Sequence, residues 1–250
     1  MMSTVVDALS ARLYPELLQR DPVVGFVERL DRMVRPHDVV LDLGAGAGER
    51  NRYALRGRVR RIVGIDLDPR VKTNPLLDLG VTGDISSLPF PAETFDVVFA
   101  IYVLEHVERP AALASAVSRV LRPGGVFLAL TPNVAHYTAL VSRATPTAFH
   151  RWFNTHRGRP AADTFPTWYR LNSRRALVRH FAAAGLEPVS IEGVEVRPNY
   201  LTFNPMTFLA GVAYERTVNA FEWLSPMRVN LVATFQKLCT AAPANDRHAR

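Results

Sequence analysis

Short apolar runs alternate with amphipathic stretches through the middle of the chain. The runs cover residues 39–43, 61–65, 95–100 and 126–130 and are rich in Val, Ile, Leu and Phe. Runs of this length and composition predict β-strands that are buried on both faces. Residues 110–121 have helical spacing instead, and the sequence RPGG is expected to stop that helix. Strands that alternate with helices predict βαβ units and therefore a parallel sheet.

The chain before the first strand has a helical period. Residues 3–34 are predicted to be helical, because apolar side chains recur at helical intervals, most clearly Val23, Val24, Phe26, Val27, Leu30 and Val34. Asp21 followed by Pro22 is typical of a helix N-cap and the first helical position. We therefore predict an N-terminal helical segment over residues 1–34.

The alternation is interrupted after Thr131. The next clear helix is predicted to begin at Asn172 or Ser173 and to run to Ala184, with Gly185 as the residue that ends it. Further strands are predicted over residues 188–194 and 228–235. The second of these has an alternating pattern that suits an antiparallel edge strand.

A glycine-rich turn follows the first predicted strand. Gly44, Gly46 and Gly48 stand at alternate positions after Asp42. Glycine removes the Cβ atoms that would keep a ligand off the backbone, and a helix expected after the turn would direct N–H groups at that ligand. A dinucleotide-binding turn has the spacing GxGxxG, but Glu49 occupies the place of the third glycine. Because a carboxylate beside a pyrophosphate is unfavourable, the turn suits a ligand without one.

Two more carboxylates lie further along the chain, the first of them directly after the second predicted strand. Asp66 lies 22 residues after Gly44, where a carboxylate can accept two hydrogen bonds from a ribose diol. Asp84 lies in the sequence GDI, where it can accept from an exocyclic adenine amine while an N–H near Ile85 meets a ring nitrogen. A lone Asp at a strand end is more often structural or solvated, but three acids in this order and spacing favour a nucleoside site.

These motifs resemble those of the class I S-adenosylmethionine-dependent methyltransferases. The resemblance covers residues 38–133 and includes DLGAGAG from Asp42, the acid Asp66, GDI from Gly83, LPF from Leu88, FDVV leading into LEHV, and RVLRPGG. The sequence is most similar to the subgroup that acts on small molecules, quinones, lipids and glycans.

The resemblance implies a Rossmann-like α/β fold and its cofactor. The fold has a seven-stranded sheet in the order 3-2-1-4-5-7-6, with strand 7 antiparallel, helices on both faces and a lid insertion. S-adenosylmethionine carries a sulfonium, an ammonium and a carboxylate but no phosphate, in agreement with the glycine turn. Asp42 would hold the ammonium, and residues 100–102 would flank the methyl donor. The implied cofactor-binding residues are Asp42, Gly44, Ala45, Gly46, Asp66, Leu67, Asp84, Ile85, Ala100 and Ile101.

The domain organisation expected from this resemblance is a single methyltransferase domain over residues 1–250. The N-terminal helical segment is predicted at residues 1–34 and the cofactor-binding core at residues 38–133. Two substrate-lid insertions are predicted at residues 134–171 and 197–225, and a disordered tail at residues 241–250.

A candidate general base lies just past the fourth strand. Orientation in methyl transfer contributes effective molarities of about 10⁵–10⁸ M, and a base for a hydroxyl acceptor contributes roughly 10²–10⁴-fold. His106 is the first candidate, and the alternative is that it only hydrogen-bonds a neighbouring loop. Side chains of the first insertion are further candidates, which packing or surface exposure would equally explain: His136, Tyr137, His150, His156 and Tyr169.

Several chemistries are opposed by what the sequence lacks. Residues 100–103 read AIYV, where methyltransferases acting on adenine or glutamine nitrogen carry an Asn/Asp-Pro-Pro-aromatic motif. Cys239 is the single cysteine and lies late in the chain, which argues against a cysteine-nucleophile cytosine methyltransferase and excludes an internal disulfide. No cluster with metal-ligand spacing stands out, so no metal is predicted.

Composition and charge bear on the cellular location of the protein and on the kind of partner it binds. The chain is 48% hydrophobic and 21% charged, as ordinary globular proteins are. Its net charge is +7 and 28 of its 30 basic residues are arginine, which reflects either a compositional bias or an anionic partner. The sequence has no signal peptide and no transmembrane-length apolar run, so we expect a cytoplasmic protein.

The two predicted insertions differ in composition. Residues 139–180 contain eight arginines, one acid and six interleaved aromatics. Either these arginines are solvated, or they recognise an anionic acceptor, with nucleic acid ranked low because no RNA-binding module is recognised. Residues 203–224 are apolar with few charges, which predicts a core-facing lid helix or, alternatively, a surface for a membrane or a lipid tail.

The sequence therefore predicts an enzyme that transfers a methyl group from S-adenosylmethionine to an acceptor. The default acceptor is a hydroxyl of a small molecule or of a lipid-linked or glycan-type substrate, and peripheral contact with the cytoplasmic face of a membrane is a hypothesis. The oligomeric state is left open. Two alternatives remain: an NAD(P)-dependent oxidoreductase, opposed by Glu49 and residues 121–125, and a non-catalytic binding subunit, opposed by the intact turn with Asp66 and Asp84.

Overall fold

A seven-stranded sheet forms the centre of the computed structural model, which describes residues 3–16, 21–48, 53–136, 166–198 and 201–239. Its order is β3-β2-β1-β4-β5-β7-β6. The first five strands are parallel, and β7 is antiparallel to both β5 and β6. The predicted order and the antiparallel strand 7 are confirmed. The strands are β1 (Val39–Leu43), β2 (Arg61–Asp66), β3 (Leu79–Thr82), β4 (Phe95–Ile101), β5 (Leu121–Pro132), β6 (Leu186–Val194) and β7 (Asn230–Lys237).

Helices pack on both faces of this sheet. Side chains alternate between the faces of a strand, so Val40 and Leu41 of β1 belong to different buried clusters. One cluster joins α3 and α4 to the sheet, and the other joins α2 to the opposite face. The helices are α1 (Ser3–Leu13), α2 (Pro22–Met33), α3 (Pro110–Val120), α4 (Arg174–Ala183) and α5 (Pro205–Ala220).

The ends of two helices agree with the sequence signals. The Asp21 carboxylate accepts a hydrogen bond from the Val23 N–H at 2.9 Å, and Pro22 occupies the first position of α2. At α4 the Ser173 hydroxyl accepts from a backbone N–H of the first turn, and Gly185 follows the helix with φ +82°. These caps confirm the predicted starts of α2 and α4.

Three local features refine or correct the predictions. The predicted helical segment before the sheet contains two helices, α1 and α2, and Tyr14, which follows α1, is buried against α5. Strand β7 is not an edge strand, since β6 pairs along its outer side and covers it. The RPGG sequence does not lie between helix and strand but within β5, where the register with β4 shifts and Gly124 has φ +77°.

Two further differences concern the loops around β2. No helix follows the glycine turn in the described residues 53–60, which form turns; residues 49–52 lie outside the description. Strand β3 was not recognised as an apolar run, because it has four residues and none of them is fully buried.

The two predicted insertions are described to different extents. Of residues 134–171, only 134–136 and 166–171 are described. Residues 197–225 include α5, which packs on α1 through Tyr14, Phe208 and Val212. A 3₁₀ helix, Glu222–Met227, follows α5 and leads into β7. In the described part of the chain, no helix combines the length and the apolar character needed to cross a bilayer.

Candidate active site

The glycine turn after β1 requires its glycines for two different reasons. Gly44, Gly46 and Gly48 all have positive φ, between 52° and 83°. A Cβ on Gly44 would overlap the Val103 side chain, so this glycine is needed for packing. A Cβ on Gly46 would meet only one atom of the described residues within 4 Å, a carboxylate oxygen of Asp66 at 3.9 Å. As far as the described residues go, the space beside Gly46 is therefore open, as a bound ligand requires.

Asp66 at the end of β2 lies directly against this turn. Its Oδ2 accepts a hydrogen bond from the Gly46 N–H at 2.8 Å, and its Oδ1 accepts from the Asp68 N–H at 2.8 Å. These two bonds hold the carboxylate in place and leave further lone pairs on both oxygens. Leu67 is 61% exposed beside it. The arrangement fits the predicted role of Asp66 with a ribose and of Leu67 as an apolar contact.

Asn74, which was not predicted as a site residue, also holds the glycine turn in place. Its Nδ2 donates to the carbonyl oxygens of Ala45 and Gly46, both at 3.1 Å, and its Oδ1 accepts from the Leu76 N–H. The side chain is buried. Nothing in the local sequence indicates this role, because Asn74 is 28 residues away from Gly46.

Asp42 is buried near the end of β1. The Tyr53 hydroxyl donates to its Oδ2 at 2.5 Å. Burial raises the pKa of Asp42 to about 8, the Tyr53 hydrogen bond opposes this, and the neighbouring Asp66 carboxylate adds to it. A cation placed nearby would favour the charged form of this carboxyl. The predicted contact with the ammonium is chemically consistent with this environment and stays a prediction.

Asp84 follows β3 and already has two partners. Its Oδ1 accepts from the Ser86 N–H at 2.8 Å, and its Oδ2 forms an exposed ion pair with Arg109 at 3.2 Å. Ile85 is half-buried and packs against the core. A ligand amine at Asp84 would therefore share the carboxylate with Arg109, a residue that the sequence did not suggest.

The end of β4 brings the chain to the predicted methyl-donor position. Ala100 is fully buried between Leu43 and Ala129 of the neighbouring strands, whereas Ile101 is half-buried. Tyr102 has φ +55°, an unfavourable conformation for a bulky residue that is typical of constrained functional turns. The direction of the chain changes here, immediately beyond the sheet.

His106 ends a 3₁₀ helix, Leu104–His106, just beyond this turn. Its Nδ1 lies 2.9 Å from the carbonyl oxygen of Pro166. Because a carbonyl can only accept, Nδ1 carries a proton, and the neutral ring then has its lone pair on Nε2. This is the tautomer that a general base needs. The same bond is also the loop contact that the alternative interpretation predicted.

The residue before His106 links the same turn to a second loop. The Glu105 carbonyl accepts from the N–H groups of Trp168 and Tyr169 at 2.7 and 3.1 Å. Burial raises the pKa of the Glu105 carboxyl. Tyr169, one of the further candidates, is 46% exposed here. Tyr137, His150 and His156 lie outside the described residues.

A second polar group lies where β5 and β6 end and β7 begins. His136 is buried, and its Nε2 lies 3.4 Å from Oε2 of the buried Glu195, which also accepts from the Val229 N–H at 2.8 Å. The Tyr214 ring of α5 stands edge-on to His136 at 5.6 Å. Burial, with the Glu195 carboxylate, raises the pKa of Tyr214 to about 12. His136 was a candidate from the sequence, but its partners were not.

This group continues into the N-terminal helices. The Tyr14 hydroxyl donates to Oε2 of the buried Glu215 at 2.9 Å. Asn219 donates both to Oε1 of Glu215 at 2.7 Å and to the Glu195 carbonyl at 3.0 Å. Glu195 and Glu215 also line a cleft of about 400 Å³ between α2, α5 and the end of β6. No group of three His, Cys, Asp or Glu side chains within the described ranges could hold a metal ion.

Comparison with known proteins agrees with this geometry. Residues 41–129 match the family model described as a methyltransferase domain. A protein of Mycolicibacterium smegmatis named "Probable S-adenosylmethionine-dependent methyltransferase" is 39% identical over 99 residues, 38% of each chain. A ubiquinone/menaquinone biosynthesis C-methyltransferase of Ectopseudomonas mendocina is 35% identical over 109 residues, 39% of this chain and 43% of the relative. The chain thus spans about two fifths of the length of these relatives.

A solved structure shares the fold over nearly the whole chain. It is a methyltransferase of Haloferax volcanii in complex with the Trm112 methyltransferase activator. The TM-score is 0.57 at 19% identity, with coverage of 97% of this chain and 100% of that chain. The segment from β1 to β5 therefore contains a methyltransferase domain that is similar to S-adenosylmethionine-dependent methyltransferases, and the chain shares the fold of a methyltransferase. These relatives support S-adenosylmethionine as the cofactor, as the resemblance implied.

Proposed function

We propose that this protein transfers a methyl group from S-adenosylmethionine to an acceptor that loses a proton in the reaction. The observation that carries the proposal is the contact between Asp66 and Gly46, where a carboxylate is held beside open space at the glycine turn. When bound there, S-adenosylmethionine supplies an electrophilic methyl group on a sulfonium. A nicotinamide dinucleotide would instead place a pyrophosphate at this turn, beside the acids Asp42 and Asp66.

Each residue of the proposed cofactor site is assigned to a different part of the cofactor. Gly44, Ala45 and Gly46 contribute the backbone surface, and Asp66 accepts from the ribose diol. Leu67 and Ile85 provide apolar surface for the base, and Asp84 accepts from its amine. Asp42 is assigned to the ammonium. Ala100 and Ile101, at the end of β4 beside β1, are assigned to the surroundings of the methyl group.

His106 is the proposed general base. Its Nδ1–H is committed to the Pro166 carbonyl, so Nε2 is the nitrogen that takes the acceptor's proton. The first acceptor class is a hydroxyl of a small molecule or of a lipid-linked or glycan-type substrate. A carbon acceptor is the second, because a relative over 39% of the chain is named a C-methyltransferase. A base is useful to both, since each acceptor releases a proton.

Calorimetric titration of the purified protein with S-adenosylmethionine, and separately with NADH, tests the cofactor. We expect micromolar binding of the first and none of the second. Asp66→Ala should weaken S-adenosylmethionine binding by about 1–3 kcal/mol, because hydrogen-bonding groups are left without partners. The matched control is Asp31→Ala, which removes a carboxylate of α2 that pairs with Arg58 away from the turn. Binding of NADH alone would contradict the proposal.

Transfer of labelled methyl groups to anionic lipids and glycans tests the reaction and the base. With an acceptor in hand, His106→Asn should lower turnover by roughly 10²–10⁴-fold and leave cofactor affinity nearly unchanged. Unchanged turnover would remove His106 as the base. Tight cofactor binding without transfer to any acceptor would instead favour the second hypothesis, a non-catalytic binding subunit.

A further inference from the structure

Helix α5 exposes an apolar face to solvent. Six of the thirteen exposed large apolar side chains in the described residues lie between positions 203 and 227. Met206 is 82% exposed, Leu209 48% and Trp223 76%. The other three are Phe203, Phe221 and Met227. A soluble helix usually buries its apolar side, so this concentration marks an interaction surface.

Helix α5 carries apolar side chains on both its buried and its exposed side. The buried side contains Phe208 and Val212 as well as the carboxylate of Glu215. The exposed side carries Met206, Leu209 and several alanines. The helix has 16 residues and is about 24 Å long. The fold therefore holds α5 by one apolar side and leaves further apolar side chains outside.

We propose that this face, formed by Phe203, Met206, Leu209, Phe221, Trp223 and Met227, docks on the surface of a membrane that contains anionic lipids. An in-plane amphipathic helix buries its apolar side to the depth of the headgroup boundary, where tryptophan and other aromatics are favoured. Helix α5, which carries part of this surface, also contacts the second polar group, because Tyr214 contacts His136 and Asn219 contacts the Glu195 carbonyl.

Charge favours an anionic bilayer over a second copy of this chain. The net charge of the protein is +7, so two copies repel each other while an anionic surface attracts each of them. Glu222, the exposed acid within this surface, is paired with Arg228 at 3.0 Å. Arg216 adds an exposed cation on α5 itself. No carboxylate without an ion-pair partner is therefore exposed along the described residues 201–227.

Hydrogen-bonding capacity gives the same preference. Protein interfaces carry about one hydrogen bond per 100–200 Å². Along the exposed side of α5 the polar side chains are Arg216, Thr217 and Asn219. The Thr217 hydroxyl already donates to the Ala213 carbonyl at 2.7 Å, and Asn219 already donates within the protein. An acyl-chain boundary needs no such bonds. The apolar face is thus better suited to lipid than to a specific protein surface.

Co-sedimentation with vesicles tests the proposal independently of methyl transfer. We expect the protein to bind vesicles of phosphatidylcholine mixed with phosphatidylglycerol more tightly than phosphatidylcholine alone, and to be released by salt. The triple variant Met206→Ser, Leu209→Ser, Trp223→Ser should lose about tenfold or more in vesicle affinity. The control Val189→Ser, Leu238→Ser alters equally exposed side chains elsewhere and should bind as the unmodified protein does.

A spectroscopic measurement locates the contact. In the variant Trp152→Phe, Trp168→Phe the remaining tryptophan is Trp223, whose emission should shift to the blue on addition of anionic vesicles. Equal binding of the triple variant and the unmodified protein would overturn the proposal. So would a concentration-dependent dimer that the triple variant abolishes. Calorimetry with S-adenosylmethionine on the triple variant shows that it is folded, and separates failure here from failure of the proposed function.

Discussion

The two halves of the sheet satisfy their buried polar side chains in different ways. Around β1 and β2, polar side chains fix the glycine turn and the end of β1, as Asp66 does with Gly46 and Tyr53 does with Asp42. Around β5, β6 and α5, polar side chains join elements that are far apart in the chain. The Tyr14 hydroxyl and Glu215, which are 201 positions apart, are an example.

The polar contacts of the first half, around β1 and β2, hold the glycine turn. Those of the second half, around β5, β6 and α5, join helices and strands to one another. In the first half, removal of a contact should change the shape of the glycine turn and therefore cofactor binding. In the second half, removal of a contact should loosen the packing of α1, α5 and β6 and leave the turn intact. The expectations that follow are ordered from the largest effect to the smallest.

Gly44→Ala should cause the largest loss of stability and of cofactor binding, and its structural effect should be confined to the first half. The new Cβ would overlap Val103, and the residue would keep a positive φ. Overpacking costs about 1–3 kcal/mol and the left-handed backbone about 1–2 kcal/mol. Urea unfolding and cofactor calorimetry should both report a loss. Gly57→Ala, with φ +77° and no atom of the described residues within 4 Å of its new Cβ, isolates the backbone cost. Equal effects of the two would contradict the packing argument.

Asp42→Asn should remove a pH dependence of stability. The folded state holds the Asp42 proton up to a pKa of about 8, whereas the ordinary value is 3.8. Between these values the folded state binds more protons than the unfolded chain, so the free energy of unfolding falls as pH rises. The fall is about 3 kcal/mol from pH 5 to pH 7 for such a shift. Urea unfolding at both pH values should show this loss in the unmodified protein and a smaller one in the variant. A variant with the full pH dependence would contradict the assignment.

Glu195→Ala should destabilise the second half without affecting the cofactor. The change leaves the buried Val229 N–H and His136 without this carboxylate, which costs about 1–3 kcal/mol. We expect a lower urea midpoint and an unchanged dissociation constant for S-adenosylmethionine. Glu192→Ala, which removes an exposed carboxylate of β6 that pairs with Arg29, is the control and should have little effect. A large loss of cofactor affinity in Glu195→Ala would show that the halves are coupled.

Arg109→Ala should have the smallest effect. Its ion pair with Asp84 is exposed, and such pairs contribute about 0–1 kcal/mol. Release of Asp84 should tighten cofactor binding by no more than about threefold. Calorimetry against the unmodified protein measures this change. A loss of tenfold or more would mean that Arg109 itself contacts the cofactor, contrary to the role given to Asp84.

The parts of the site that could be predicted are those in which one short segment carries the whole signal. The turn at Gly44–Gly48 and the acid Asp66 each follow an apolar run, so strand end and chemistry are adjacent in the chain. Asn74, Tyr53 and Arg109 could not be predicted, because each reaches the site from another loop. Their residue types are common, and no local pattern distinguishes them from surface residues.

The sequence by itself determined the parallel strands, the glycine turn and, through its resemblance to a known family, the sheet order and the cofactor. Only the tertiary structure decided that the RPGG sequence lies within β5 and that the loop at residues 53–60 forms turns. It alone assembled the group of Tyr14, His136, Glu195, Tyr214 and Glu215, and left apolar side chains of α5 outside. The physical reason is the distance along the chain over which each property is set. Backbone conformation and the periodic pattern of buried side chains depend on neighbouring residues, whereas polar partners and exposure depend on which distant elements pack together.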